Sequence, residues 1–442
     1  MNCNPNLLRS LTSTAFVACA LMAPFAHPAD LLEVYRMALA SDPQFLQVAA
    51  NKRAVLEERP QALSSLLPKI NLSADINGTS SDRNNLPGAL SGSNSDNKGY
   101  TLNLSQPVYH HDRYIRLQQA DNSIKQADAE LTAAQIDLAL RASASYFDVL
   151  AALDSLSFAE AEKRSLSQQL EQAKQRFDVG LTAVTDVQEA QAGYDRAVAD
   201  EISAINAIDI AREALREITG EYLLDLEGLT DAMPMLAPEP ADIDSWSNTA
   251  ISSNLNVVAT IYAVDIARDE IKVQQSGHYP TVDLTARHSY NDSGINVNDE
   301  NTSNSIGLQL NVPLYSGGVV SSRTRASHER LSQQLEGLEQ IRRQAHRQSR
   351  ESYLGVMSGI SRIKALQQAV ISSEVALEAT RAGFEVGTRT AVDVVQSERA
   401  TFQARRDLSR ARYDYIINSL SLKKAAGILT VDDIERVNEW LN

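Results

Sequence analysis

Cysteine is scarce in this sequence, aromatic side chains are few, and no long apolar run occurs beyond the first residues. Only two cysteines occur in 442 residues, Cys3 and Cys19. Both fall within residues 1–29, which carry one charge, Arg9, then an apolar run from Leu11 to Ala23, then Pro24 and small residues up to Ala29. That is the pattern of a secretory signal peptide, with the mature chain starting near Asp30. His27 makes the cleavage site irregular, and Phe16-Val17-Ala18-Cys19 faintly resembles a lipoprotein cleavage box with Phe where Leu is usual. With the leader removed, the chain has no disulfide, no thiol nucleophile and no thiolate metal site.

The other shortages exclude further classes. The sequence has 41 Lys and Arg against 56 Asp and Glu; the leader removes only Arg9, so 40 bases face 56 acids, a net −16. Nucleic acid is a poor partner for that balance, since phosphate neutralisation needs basic surface. No apolar run of 18 residues follows the leader, so any membrane crossing must use strands. Aromatics are 5% of the chain, and Ala, Gln, Ser, Arg and Glu dominate, which suits long helices with thin seams. No phosphate loop, zinc signature or catalytic triad is present, so nothing points to an enzyme or a cofactor.

What is present is a duplication. Phe177 to Gly220 begins FDVGLTAVTDV and Phe384 to Gly427 begins FEVGTRTAVDV. Gly180 pairs with Gly387, Asp186 with Asp393 and Gly220 with Gly427, each 207 residues apart. Long polar helical patterns enter and leave each glycine, so Gly180 and Gly387 read as the tips of helical hairpins, where a positive φ costs little. Between Asp112 and Arg176 there is neither Pro nor Gly, which allows a rod of roughly 100 Å at 1.5 Å per residue. Ile124, Ala127, Leu131, Ala134 and Leu138 step along it as a coiled-coil seam.

Taken in order, residues 30–220 form the first repeat. A helical pattern from Asp30 is interrupted at Asp42-Pro43, with Asp42 as N-cap and Pro43 at the first helical position. At Pro68 the period becomes two: strands are expected at about 68–78 and 100–109, around a polar loop. The long helix, the Gly180 tip and a return helix follow. Residues 221–249 are a Pro-containing linker, and 250–427 repeat the pattern, with strands at about 280–290 and 304–314 and the tip at Gly387. An acidic amphipathic segment, 428–442, closes the chain. Each strand is about ten residues, enough to cross a bilayer when tilted. Taken singly, each hairpin also fits a half-buried soluble sheet. Four strands cannot close a barrel and an open edge cannot face lipid, so other copies of the chain must complete it. The competing architecture is a periplasmic coiled-coil scaffold or adaptor that never enters a membrane.

Several motifs now carry a resemblance. QRFDVGLTAVTDVQEA at 175–190, VGTRTAVDVV at 386–395, ARYDYIINSLSLKKAAG at 411–427 and NVPLYSGG at 311–318 resemble the TolC family of outer-membrane channel-tunnel proteins, over the whole mature chain. The resemblance implies an α+β membrane protein: a homotrimer whose twelve strands, four per chain, form one transmembrane β-barrel in outer-membrane lipid. That barrel continues into a periplasmic α-helical coiled-coil barrel, with the linker and tail as an equatorial belt. It implies a passive exit duct for drug efflux or type I secretion. Its partners would be a periplasmic adaptor (membrane fusion protein) and an inner-membrane transporter of RND, ABC or MFS type.

The same resemblance assigns roles at the tips. Asp393 would form a threefold carboxylate ring, with pKa values raised by mutual repulsion and with cation blockade; the plainer reading is a solvated helix-start acid. The family commonly has a second acid one turn on, where this chain has Gln396, implying a weaker block. Arg389 would bridge to Asp186 and Thr185 as a gate link, against the plainer reading of a surface Arg. A further link joins a Tyr hydroxyl to a Gln; Gln169 is present, but the Tyr position is Phe384, implying a looser resting gate. Val179, Gly180 and Leu181, with Val386, Gly387 and Thr388, resemble tips that contact the adaptor. His110-His111-Asp112 lies at a strand-to-helix junction, where Asp112 suits an N-cap better than a metal ligand.

Overall fold

The computed structural model describes residues 28–81, 93–230, 233–292 and 300–441. The leader expected at 1–29, apart from its last two positions, and the middle of each polar loop lie outside these residues. Three short helices open the chain: α1 (Leu31–Ser41), α2 (Pro43–Leu56) and α3 (Glu58–Ser64). The break between the first two follows from local chemistry. Asp42 caps α2 by accepting from the Phe45 N–H at 2.8 Å, and Pro43 fills the first helical position. Strands β1 (Lys69–Ser81) and β2 (Ser93–Tyr109) lead to α4 (His111–Asp178), a 68-residue helix, and α5 (Val184–Thr219) returns from its tip.

The second half repeats this order. It consists of α6 (Ile243–Ser253), α7 (Leu255–Gln275), β3 (Thr281–Asp292), β4 (Glu300–Asn311), the 67-residue α8 (Val319–Glu385) and α9 (Ala391–Ala425), followed by α10 (Val431–Asn438). Asn254 caps α7 through the Asn256 N–H at 3.0 Å, the counterpart of Asp42. The stretch Ile243–His278 reaches a mean hydropathy of 1.3 in its most apolar window. The Asn254 break divides it into two helices that pack on α4 and α8, so it does not read as a membrane span.

The strands form one antiparallel sheet in the order β1-β2-β3-β4. Ile70 faces Leu104, Leu104 faces Ala286 and Ala286 faces Ile306. The adjacent row, Asn71, Asn103, Arg287 and Ser305, points to the opposite side. One face therefore carries an apolar band and the other is polar. Side chains of that band stand free in one protomer, with Leu72 70% and Ile306 78% exposed. Tyr100 stacks on Tyr290, centroids 5.5 Å apart, at the edge of the band nearer the loops.

The main core sits at the equator, where α1, α4, α9, α10 and the linker converge. Tyr146, Phe147, Leu138, Ile416 and Ile434 are almost wholly buried there. The linker is tied down by hydrogen bonds: the Tyr146 hydroxyl donates to the Glu227 carbonyl at 2.7 Å, and Trp246 Nε1 donates to the Pro240 carbonyl at 2.8 Å.

Candidate functional site

Both hairpin tips are built alike. Gly180 and Gly387 each have φ +78°, and nothing lies within 4 Å of an added Cβ, so the positive φ alone demands glycine. The Leu181 N–H reaches back to the Arg176 carbonyl at 2.8 Å, and the Thr388 N–H to the Gly383 carbonyl at 2.8 Å. These bonds satisfy the last carbonyls of α4 and α8 and leave apolar side chains outermost. Val179, Leu181 and Val386 are 69–75% exposed, an arrangement that water disfavours unless a partner covers it.

The helices leaving the tips start differently. Thr390 caps α9 in a reciprocal box with Asp393: Asp393 Oδ2 accepts from the Thr390 N–H at 2.9 Å and from its hydroxyl at 3.0 Å. Those donors, assisted by the Arg389 charge, hold the Asp393 carboxyl below the usual Asp range. Within a protomer the cap sets this direction; the upward shift expected from mutual repulsion belongs to three neighbouring copies. Gln396, one turn on, is exposed. Asp186, at the position equivalent to Asp393, accepts a hydrogen bond from the Thr182 hydroxyl, and Thr185 beside it is exposed. Arg389 is exposed, and among the described residues no ion pair joins it to Asp186 within one protomer.

Gln169 and Phe384 line a common cavity between the two hairpins. Gln169 Nε2 is buried there without a partner. The structure also brings together residues that no motif singled out. Glu398 is fully buried and accepts from Ser165 Oγ at 2.8 Å and from the Arg381 guanidinium. Glu162 is buried beneath Arg406 at 3.0 Å and Arg399 at 3.8 Å. A usable signal existed. Ala391, Val394, Val395, Glu398 and Thr401 are the buried face of α9, and a carboxylate on an otherwise neutral seam requires partners.

The strand-to-helix junction corrects one local expectation. His110, not Asp112, is the N-cap of α4, and Asp112 falls in the first turn. His110 Nε2 lies 3.0 Å from Asp283 Oδ1, and His111 meets the Tyr279 ring edge-on. Among the described residues no group of acidic, His or Cys side chains is arranged to hold a metal.

Comparison with known proteins agrees with this architecture. The family model for outer membrane efflux proteins matches residues 34–221 and 246–428, the two repeats. The chain is 38% identical over 434 residues to the outer membrane protein TolC of Vibrio cholerae, covering 96% of this chain and 97% of that one. It is 29% identical to the alkaline protease secretion protein AprF of Pseudomonas aeruginosa, covering 94% and 88%. The crystal structure of the Campylobacter jejuni CmeC outer membrane channel superposes with a TM-score of 0.80 at 14% identity, covering 99% and 98%. With four bilayer-length strands, an apolar band along one face of the sheet and rods ending in glycine tips, the chain belongs to the outer membrane efflux protein family of TolC-type channels, exit ducts in the outer membrane whose helical tunnel stands in the periplasm.

Proposed function

We propose that three copies close into a twelve-stranded barrel and a continuous tunnel, which is shut at its periplasmic end until an adaptor and an inner-membrane transporter engage it. The observation that carries this reading is the pair of unpartnered edges on β1 and β4. Each exposes a row of backbone donors and acceptors that lipid cannot satisfy. Pairing β4 of one protomer with β1 of the next satisfies both, and four strands per copy from three copies gives a closed ring. The α4 and α8 rods reach roughly 100 Å at 1.5 Å per residue, enough to carry the duct deep into the periplasm.

At the tips, Arg389 is free to reach Asp186 and Thr185 of a neighbouring protomer, which would lock the ring. Asp393 supplies three carboxylates near the axis. Val179, Leu181 and Val386 offer the adaptor apolar side chains around Gly180 and Gly387, with Thr388 beside them. The protein itself is passive: transport is driven by the transporter, and the role of this chain is to hold a polar path open on demand. The likeness to a protease secretion protein supports protein cargo through the same duct used for small molecules.

Single-channel conductance in planar bilayers tests this, with wild type beside Asp186→Ala combined with Arg389→Ala. A narrow wild-type pore and a wider double variant are expected. Absence of conductance in both overturns the channel reading, and equal conductance removes the lock.

A further inference from the structure

The polar face of the sheet carries few charges. Among the described residues of β1 to β4 on this face, the charged ones are Lys69, Asp75, Asp283 and Arg287. The rest are Asn, Ser, Thr, Gln, Gly and Pro. Register places the two bases together. Lys69 pairs with Ser105 and Ser105 with Thr285, while Asn71 pairs with Asn103 and Asn103 with Arg287. Lys69 and Arg287 thus sit in adjacent rows of one face, about 7 Å apart along the strands and about 10 Å across them.

Within a copy the acids of this face stand apart from them. Asp75 lies beyond the Arg287 row on the side of the loops, and Asp283 beyond the Lys69 row on the side of the helices. Both are more than about 10 Å from either base, measured along the backbone lattice. Asp283 already has a partner, His110 Nε2 at 3.0 Å. Lys69 and Arg287 are exposed, and among the described residues neither has an ion-pair partner.

Ring closure multiplies this arrangement. Lys69 is on β1 and Arg287 on β3, with β2 between them. Pairing β4 of one copy with β1 of the next puts one strand between Arg287 and the neighbouring Lys69 as well, so every second strand of the ring bears a base. Threefold symmetry makes a ring of three from each residue. At 0.1 M salt a charge is felt over about 10 Å, comparable with the distance between Lys69 and Arg287, so their fields overlap. Both side chains are long enough to converge on one polyanion held between them, and the guanidinium fork matches phosphate oxygens. We propose that Lys69 and Arg287 form an anion-binding girdle inside the barrel. It takes ligands with several clustered phosphate groups, and it makes the outer-membrane section of an otherwise acidic duct favour anions. This rests on the closed-trimer reading above, which turns the polar face to the lumen.

The test uses inorganic tripolyphosphate and the full-length protein in detergent. Wild type is compared with Lys69→Gln combined with Arg287→Gln, and with the charge-keeping Lys69→Arg combined with Arg287→Lys. A heat-modifiable band checks that each has assembled. Calorimetry should show binding to wild type that weakens about tenfold between about 50 and about 200 mM KCl, as screening requires. The glutamine pair should lose about tenfold or more, and the charge-keeping pair should stay within about threefold of wild type. Equal binding by wild type and the glutamine pair overturns the girdle, and so does loss in the charge-keeping pair. Arg287→Gln alone, which removes half of the bases, should bind with intermediate affinity; wild-type affinity there counts against the proposal even if the glutamine pair does not assemble. In planar bilayers, the trimer unlocked by Asp186→Ala with Arg389→Ala should pass chloride relative to potassium about threefold more readily than the same trimer carrying the glutamine pair. An unchanged ratio overturns the preference for anions. Absence of conductance in both overturns the duct reading instead, and the calorimetry still decides the girdle.

Discussion

The Arg176 guanidinium lies over the Phe384 ring, 4.9 Å from its centroid, joining the last turn of α4 to the last turn of α8. A partly exposed contact of this kind is worth about 0.5–1 kcal/mol. Beside it Gln169 Nε2 is buried without an acceptor. Phe384→Tyr would supply one and add about 1 kcal/mol to the closed tip of each protomer. If three protomers open together, that amounts to roughly a hundredfold in the equilibrium. Bilayer recordings should therefore show the open state of Phe384→Tyr about a hundredfold rarer, and that of Phe384→Ala more frequent. Equal occupancy in the tyrosine variant would show that the hydroxyl does not reach the amide.

The capping of Asp393 sets a pH dependence. Its carboxyl is held below the usual Asp range by the Thr390 N–H and hydroxyl, with help from Arg389. A group lowered in this way stays ionised throughout the neutral and mildly acidic range. Block by a trivalent cation should therefore be constant from about pH 8 to about pH 5, where an Asp of ordinary pKa near 4 is already largely charged. Block that fades between those values would show that repulsion among three copies outweighs the caps. Asp393→Asn should abolish block, and Gln396→Asp, which adds a second ring, should strengthen it about tenfold.

The parts of this architecture that were legible in the sequence are those set by local chemistry. The period-two runs gave the strands because one face must be apolar and the other wet. Gly180 and Gly387 gave the tips because φ +78° is a local requirement. The strand ends were less legible: β1 continues to Ser81, and β2 starts at Ser93. Beyond the membrane both faces meet water, so alternation disappears while the pairing continues. Glu162 and Glu398 are illegible in the sequence for a different reason. Ser165 and Glu398 are 233 residues apart in sequence, and a charge on a helix reads as solvated until its neighbour across the seam is known.

At the equator, Arg141 makes a bidentate pair with Asp42, at 3.0 and 2.8 Å, and Asp42 is buried. That pair and the Phe45 N–H hold the Asp42 carboxyl below its ordinary range. The carboxyl therefore stabilises the fold at every pH above its unfolded value of about 4 and loses that contribution as pH falls below it. Arg141→Ala leaves a buried carboxylate without its partner and should cost about 3 kcal/mol. Thermal unfolding in detergent checks both points. The melting temperature should drop for Arg141→Ala at pH 7, and the gap to wild type should narrow near pH 3. A constant gap would mean that the loss comes from packing of the Arg stem.

The alternation of the sheet makes the most direct prediction about the membrane. Leu72 and Leu308 lie on the apolar face, with Asn71 and Gln309 next to them on the opposite face. An Arg near the middle of a lipid-facing band costs about 2–4 kcal/mol, whereas one facing a water-filled lumen costs little. With three copies per barrel the penalty is incurred three times, so Leu72→Arg or Leu308→Arg should sharply reduce recovery in the outer-membrane fraction and abolish the heat-modifiable band. Asn71→Arg and Gln309→Arg should assemble normally and shift ion selectivity towards anions. Reversed results, with the polar-face variants lost and the apolar-face variants assembled, would turn the sheet inside out and place its apolar side against the lumen.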